Sequence, residues 1–473
     1  MRRTKIICTL GPACRDEATL TDMLQNGMNV ARFNFSHGDH AYHKDMMDTF
    51  RTVRDRLGVP AAIMLDTKGP EIRIGILKDG KAVLQDGQTF TLTTKNITGD
   101  STAASVSYRE LPRQLKTGDT LLIDDGKISL TVASCTETDI VCTVVHGGEL
   151  KDKKGLNIPD VSLDMPFLNE QDKKDLLFGI EQKVDYIAAS FTRSRDDIVA
   201  MRKFIDYNGG HSIRIIAKIE SIEGVKNFDE ILKVADGIMI ARGDMGVELE
   251  YDMLPGIQKK CIHKCCRAGK IVITATQMLE SMIHSATPTR AEITDVANAV
   301  FDGTSAVMLS GESAAGDHPA LVVQVMAKIL ARAEQDMFDI NQGIQARYDN
   351  DESDITNAIC DAACTTARDV HATAIIAVTA QGTTARRVSK FHPYERIIAS
   401  TPDMKTFHQL SLSWGVYPVL ALMQDNTDDL FLHAIDCAKQ FDLVSPGDRV
   451  VITAGIPLKQ AGTTNILKVQ VVE

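Results

Sequence analysis

The feature that most constrains this chain is a repeating rhythm, a short apolar strand followed by an amphipathic helix. Strands fall at Lys5–Leu10, Asn29–Ser36, Ala61–Leu65, Tyr186–Phe191, Ile213–Ile219, Ile238–Ala241, Ile271–Ala275 and Ala306–Leu309. β-Branched bulk over so few residues marks a buried strand. The stretches between carry helical spacing, for example Ile198, Met201, Phe204 and Ile205 on one face. Eight such βα units predict a (β/α)8 TIM barrel within the α/β class, with a doubly wound open sheet as the alternative.

The strand ends favour the barrel. Arg32/Asn34/Ser36, Asp66/Thr67, Ser190, Lys218/Glu220, Arg242/Asp244, Thr274/Thr276 and Ser310/Glu312 all stand at C-terminal strand ends. That face is where such a barrel builds its active site. Any one group is explained by helix capping or a turn, but capping does not account for seven at one end. Lys218 and Glu220 are two residues apart on one strand and project the same way. Alone they would read as a strand-end salt bridge. With Asp244 near the end of the next strand, Glu220 completes a two-carboxylate Mg²⁺ site. Lys218, Arg32 and Arg73 add cations, which is a kit for phosphoryl transfer. On this chemistry a kinase and a Mg²⁺-dependent lyase or aldolase acting on a keto acid both remain open.

Two segments interrupt or follow the rhythm. From Glu71 to about Pro166, alternating runs such as Gln88–Thr94, Thr120–Ile123 and Ile140–Val145 are separated by Asp86-Gly87, Asp125-Gly126 and Gly147-Gly148. This predicts a run of hairpins, a small β-barrel lid inserted after the third strand. After the polar linker Asp349–Ser353, strands at Ala374–Val378, Arg396–Ala399, Tyr417–Leu420, Arg449–Ile452 and Ile466–Val472 predict a small C-terminal α/β domain. The expected domains are a catalytic barrel (1–69 and 167–345), a lid (70–166) and a C-terminal unit (346–473). Two C-terminal turns, Thr379–Thr384 and Gly455–Thr464, have the composition of a phosphate-holding turn and equally of a plain turn with an N-cap.

Charge and composition narrow the partners. With 52 basic and 63 acidic residues the formal net charge is -11, which argues against nucleic acid or an anionic membrane surface. Aromatics make up 5% of the chain, so base-stacking platforms are not indicated. The apolar run Ile6–Leu10 is too short for a signal-peptide core, no run has the length of a membrane span, and a cytoplasmic location is expected. The 10 cysteines include no Cys-x-x-Cys pair, and Cys261, Cys265 and Cys266 beside His263 read as buried thiols in preference to a zinc site. Gly-Lys pairs are never followed by Ser or Thr, so no P-loop is present.

Eight motifs carry a family resemblance. They are Thr4–Pro12 (TKIICTLGP), Arg32–Gly38 (RFNFSHG), Leu65–Arg73 (LDTKGPEIR), Ala217–Glu220 (AKIE), Ala241–Gly246 (ARGDMG), Thr274–Met278 (TATQM), Pro288–Glu292 (PTRAE) and Met308–Glu312 (MLSGE). Together they resemble the successive motifs of pyruvate kinase, over essentially the whole chain. The resemblance implies transfer of the phosphoryl group of phosphoenolpyruvate to ADP, giving pyruvate and ATP. It implies that Lys218 and Arg32 contact the moving phosphoryl group and that Glu220 and Asp244 hold Mg²⁺ (or Mn²⁺). It places the substrate carboxylate against Gly243, Asp244 and Thr276, with Thr276 on the proton route to the enolate. It assigns Arg73 and Asn34 to the nucleotide, and Asn34, Ser36, Asp66 and Thr67 to K⁺, whose use Glu71 accompanies. Thr379, Gly382, Thr383 and Thr384 would bind a phosphorylated effector beneath a Gly455–Thr464 lid, in a homotetramer.

One stretch departs from the pattern. Where the family has Arg-Lys after Ser-Phe-x, this chain has Arg193-Ser194-Arg195. Ser194 cannot supply the lysine's charge to the nucleotide, so Arg193 or Arg195 is expected to substitute. The competing readings are a barrel lyase or aldolase, which needs no lid, Arg73 or K⁺ cluster, and a non-catalytic relative, which would have lost Lys218, Glu220, Asp244 or Thr276.

Overall fold

The structure is a computed structural model that describes residues 2–340, 354–458 and 464–473. The linker Asp349–Ser353 and residues 459–463 of the Gly455–Thr464 turn lie outside the described residues. The eight strands are β1 (Lys5–Thr9), β2 (Val30–Asn34), β3 (Ala62–Asp66), β4 (Tyr186–Ala189), β5 (Arg214–Ile219), β6 (Gly237–Ala241), β7 (Ile271–Ala275) and β8 (Ala306–Leu309). Each pairs in parallel with its sequence neighbours, and β1 meets β8 in the register Lys5↔Ala306 to Cys8↔Leu309, closing the barrel. The open-sheet alternative is thereby set aside.

Side-chain alternation divides each strand between two layers. On β5, Ile215, Ala217 and Ile219 pack outward into the core shared with the helices. Ile216 points to the axis with Ile7, Val30, Met64, Tyr186 and Met239. Lys218 and the following Glu220 share the phase of Ile216, so they arrive at the axis at the C-terminal mouth. The opposite mouth is plugged by Leu412 of the C-terminal unit, fully buried within the axial layer.

The inserted segment has its own core around Phe90, Leu92, Leu121, Leu130 and Ile140. Its six-stranded sheet runs Leu156–Asn157, Thr120–Ile123, Ile128–Cys135, Asp139–His146, Thr89–Thr93, Ala103–Ser105. The segment following Glu71 bridges the two edges, through Arg73↔Gly155 and Ile74↔Val106, and so rounds the sheet off. The expected succession of hairpins holds at Asp125-Gly126, where Thr120–Ile123 pairs antiparallel with Ile128–Cys135, but not at Asp86-Gly87 or Gly147-Gly148, because Lys81–Leu84 pairs with Gly148–Lys151 in a separate two-stranded sheet; Thr89–Thr93 and Ala103–Ser105 pair in parallel.

The C-terminal sheet comprises β9 (Ala374–Val378), β10 (Arg396–Thr401), β11 (Val416–Leu420), β12 (Arg449–Ala454) and β13 (Ile466–Val471), ordered β11-β10-β9-β12-β13. Only β13 runs antiparallel. Separate cores cover its two faces. It docks under the barrel through polar contacts: Tyr186 donates to the Gln409 carbonyl at 2.5 Å, Gln409 Nε2 donates to Ser212 O at 2.7 Å, and Lys5 Nζ donates to Val416 O at 2.7 Å.

Candidate active site

Lys218 is the hub of the C-terminal mouth. Its Nζ lies 3.0 Å from Asp66 Oδ1, 3.0 Å from Glu220 Oε1 and 2.7 Å from Ser190 Oγ. Burial opposes its charge, but the carboxylates of Asp66 and Glu220 outweigh burial and hold the ammonium above the ordinary lysine value. Asp66 is fully buried and carries a second cation: Arg32 Nε lies 2.6 Å from Oδ2, while Arg32 Nη1 donates to Thr9 Oγ1 at 2.8 Å. Burial would raise the Asp66 pKa, yet Arg32 and Lys218 together hold it below the usual range. Two cations are thus fixed side by side by one carboxylate, an arrangement suited to an incoming dianion.

Glu220 and Asp244 form the second feature. Glu220 Oε2 accepts from the Phe191 N–H at 2.5 Å, and that residue takes a left-handed φ of 53°. Asp244 stands in the first turn of the helix Arg242–Glu248, one step beyond the strand end expected for it. Its carboxyl shares a hydrogen bond with Glu220. Burial raises both pKa values; the charge of Asp244 adds to the Glu220 shift, Lys218 opposes both, and the hydrogen bond from Glu220 opposes that of Asp244. A hydrogen bond between two carboxyl groups needs one trapped proton, which a divalent cation would replace. Among the described residues no group of three or more His, Cys, Asp or Glu is placed to hold a metal. Two carboxylates suffice for Mg²⁺, which keeps water and shares substrate oxygens, so the donor set fits that ion.

Thr276 closes the rim at a φ of 68°, followed by Gln277 at 54°. A β-branched residue in this region is strained and needs outside support. Arg242 gives it: Nε donates to Ala275 O at 3.2 Å and Nη2 to Thr276 O at 2.5 Å, while Asp295 holds Nη1 at 2.7 Å. The Thr276 hydroxyl accepts from the Gly243 N–H at 2.8 Å, so the residues expected around the substrate carboxylate are already in contact. Ser190 and Arg242 were legible as polar strand ends, but nothing in the sequence marked them as supports for Lys218 and Thr276.

Two family models cover this architecture. The pyruvate kinase barrel domain matches residues 1–323 and the pyruvate kinase alpha/beta domain residues 357–470. The chain belongs to the pyruvate kinase family. It is 47% identical over 474 residues to pyruvate kinase from Clostridium acetobutylicum, covering 100% of both chains. The Clostridium perfringens pyruvate kinase is 45% identical over 473 residues, covering 99% of this chain and 100% of that one. A crystal structure of a pyruvate kinase from Cryptosporidium parvum superposes with a TM-score of 0.93 at 38% identity, covering 100% of this chain and 96% of that one.

Between the lid and the barrel this pyruvate kinase fold leaves a cleft of about 700 Å³, lined by Glu71, Arg73, Asp124, Arg193, Lys226 and Asp244 among others. Arg73 is half-exposed there and pairs with Glu71 at 2.8 Å. Arg193 donates to the carbonyls of Leu163 at 2.9 Å and Met165 at 2.7 Å, so its guanidinium ties down the lid's returning segment. Arg195 is exposed, faces Asp196 at 3.5 Å and does not line the cleft. Ser194 caps the helix Arg195–Tyr207 in a reciprocal capping box with Asp197, a local role that explains a serine there.

The residues assigned to K⁺ lie on neighbouring elements, with Asn34 opposite Asp66 in the β2–β3 register. Asn34 Oδ1 accepts from the Ser36 N–H at 3.1 Å, and Thr67 O accepts from Ser190 Oγ at 2.6 Å. Ser36 falls in an exposed turn beyond β2 instead of on the strand face shared by Arg32 and Asn34. Cys261, Cys265 and Cys266 are buried on one side of their helix while His263 is exposed on the other, so the four do not converge.

In the C-terminal unit, Thr379, Thr383 and Thr384 line a cavity of about 370 Å³, together with Gly455, Leu458 and Thr464. Gly382 turns the chain there at a φ of 79°, and the hydroxyls of Thr384 and Thr464 meet at 2.8 Å.

Proposed function

We propose that this chain catalyses phosphoryl transfer from phosphoenolpyruvate to ADP, yielding pyruvate and ATP. The observation that carries the reading is the double use of Asp66, which holds Arg32 and Lys218 together beside the Glu220–Asp244 pair. Phosphoryl transfer asks for positioned positive charge more than for covalent chemistry. Lys218 and Arg32 neutralise the moving phosphoryl oxygens. Glu220 and Asp244 would hold Mg²⁺, which would supply further charge neutralisation there. Gly243, Asp244 and Thr276 orient the substrate carboxylate, and Thr276 passes a proton, through water, to the methylene carbon of the enolate. Arg73, which lines the cleft, and Asn34 contact the nucleotide. Asn34, Ser36, Asp66 and Thr67 offer the oxygen donors a K⁺ ion takes.

A phosphorylated effector at Thr379, Gly382, Thr383 and Thr384, a homotetrameric assembly and a cytoplasmic site of action complete the reading. No helix among the described residues is long and apolar enough to cross a membrane. The test is pyruvate release with phosphoenolpyruvate, ADP, Mg²⁺ and K⁺. Release is expected to require ADP and to fall sharply when a tetraalkylammonium ion replaces K⁺. Release without ADP would favour a lyase instead, and indifference to the monovalent cation would refute the K⁺ assignment.

A further inference from the structure

Two histidines beside the residues assigned to K⁺ take no part in the chemistry above. Asn34 and Ser36 reach the barrel mouth from the end of β2, Asp66 and Thr67 from the end of β3. Between buried Phe35 and the helix His40–Leu57, the turn Ser36–Asp39 is exposed. Such a turn keeps one shape only where its backbone is anchored. His43, 3% exposed, is the anchor: its Nε2 donates to the His37 carbonyl at 2.8 Å. A carbonyl only accepts, so the ring is fixed with its proton on Nε2, and burial lowers the His43 pKa, which keeps the ring neutral. The ring lies flat on Phe35, with centroids 4.1 Å apart, and edge-on to Phe33 and Tyr42. Its Nδ1 is buried with no partner among the described residues. The bond to His37 is therefore what a polar ring contributes in this aromatic setting.

His40 ties the same turn to the helix Glu170–Glu181. Its Nε2 lies 2.6 Å from Asp175 Oδ1, and its ring stacks on Phe178 at 4.5 Å. Asp175 is 2% exposed, and the same Oδ1 accepts from Gln171 Nε2 at 2.8 Å. Three residues earlier, on the same helix face, Asp172 Oδ1 accepts from the Gly69 N–H at 3.1 Å. One helix thus grips both halves of the donor set. Asp172 holds the chain just beyond Asp66 and Thr67, and Asp175, through His40, holds the chain just beyond Asn34 and Ser36. A singly charged ion gains little from any one oxygen, so its affinity depends on several being held in place beforehand.

Resting on the K⁺ reading above, we infer that His43 and His40 are positioning residues for the monovalent cation. His43 fixes the Ser36–His37 backbone, and His40 with Asp175 fixes that turn against the helix that also holds Gly69. Both act through the turn, and neither is a ligand. Their loss loosens Asn34 and Ser36 relative to Asp66 and Thr67, which weakens K⁺ without removing a group that touches it.

Thermal unfolding of the full chain with Mg²⁺ and phosphoenolpyruvate, followed as K⁺ replaces tetramethylammonium at constant ionic strength, reads the K⁺ half-saturation without turnover. The K⁺ dependence of pyruvate release reads it again once ADP is added. His43→Phe keeps the flat contact with Phe35 and removes the bond to His37. The midpoint in tetramethylammonium should therefore be preserved while the K⁺ half-saturation rises about three- to tenfold, the worth of one hydrogen bond. The rate at saturating K⁺ should be retained. His40→Ala should raise the half-saturation by a similar factor, and His40→Gln, which still offers Asp175 a donor, should restore most of it. A K⁺ half-saturation unchanged in both His43→Phe and His40→Ala, with the unmodified chain responding to K⁺, would overturn this inference alone. Indifference of the unmodified chain to K⁺ in both measurements would overturn the K⁺ reading, and this inference with it.

Discussion

Glu220 and Asp244 pose an electrostatic problem that the proposed Mg²⁺ would solve. Burial, with the charge of Asp244 adding to it and Lys218 opposing, raises the Glu220 pKa from 4.5 to about 7. A carboxyl whose folded pKa is raised favours the proton-bound fold. Its ionisation therefore costs stability progressively as pH rises from the unfolded value toward the folded one, and the cost is constant above that. A divalent cation binds only the ionised pair, so protons compete with it below neutrality. Mg²⁺ affinity should weaken about tenfold per pH unit as pH falls below 7, measured by titration calorimetry from pH 8 to pH 5.5. Without Mg²⁺, Glu220→Gln should flatten the pH dependence of stability between pH 5 and pH 7. A pH-independent Mg²⁺ affinity would contradict the coupling. The carboxylates themselves were legible from their strand ends, whereas Asp66 was not fully so. The sequence reading gave Asp66 to K⁺ alone, because a pattern of strand ends cannot say that Arg32 and Lys218 converge on it across β2, β3 and β5.

The elements that place these residues were legible to different degrees. The eight barrel strands announce themselves as short β-branched runs, since burial on both faces leaves little freedom in composition. The rounding of the lid did not, because irregular backbone after Glu71 closes it by isolated bridges that have no periodicity. The junction between barrel and lid is tight at Gly69, which has a φ of 73°. A Cβ there would lie 2.9 Å from Ser190 Cβ and 3.0 Å from Ser190 O, and Ser190 is the residue that supports Lys218 and Asp66. The Asp172 carboxylate holds the Gly69 N–H at 3.1 Å, so the turn is fixed from behind as well. Gly69→Ala should destabilise the chain by about 1–3 kcal/mol through the left-handed backbone and the clash. It should also lower kcat by displacing Ser190. Denaturant midpoints and steady-state kinetics check both, and an unaffected kcat would detach Ser190 from the site.

Across the whole molecule, one strand links the two candidate ligand sites. Arg214 begins β5, whose far end delivers Lys218 and Glu220. Its Nη2 reaches the Gln381 carbonyl at 3.5 Å, its Nη1 the Asp236 carboxylate at 2.9 Å, and its Nε the Gln409 side chain at 3.3 Å. Arg386 of the C-terminal unit donates to the same Gln381 carbonyl. Burial, then the charge of nearby Arg214, lowers the Arg386 pKa to about 9. A ligand that reorients the Thr379–Thr384 turn must move this shared carbonyl, and Arg214 with it. If a phosphorylated effector binds as proposed, Arg214→Met should therefore shrink the shift it produces in phosphoenolpyruvate half-saturation, while calorimetry still detects its binding. A full shift in the variant would place the coupling elsewhere. None of this docking was legible in the sequence, because Leu412 and Gln409 meet the barrel through tertiary contacts, those of Gln409 with segments about 200 residues away.

The central claim is that Lys218 is a cation held for the moving phosphoryl group and not a structural partner of Asp66 and Glu220. Lys218→Ala, assayed for pyruvate formation alongside calorimetric binding of phosphoenolpyruvate in the presence of Mg²⁺, tests it most directly. The account predicts a loss of at least about 10²–10³-fold in kcat with phosphoenolpyruvate binding still measurable. Turnover unchanged from the unmodified chain would contradict it.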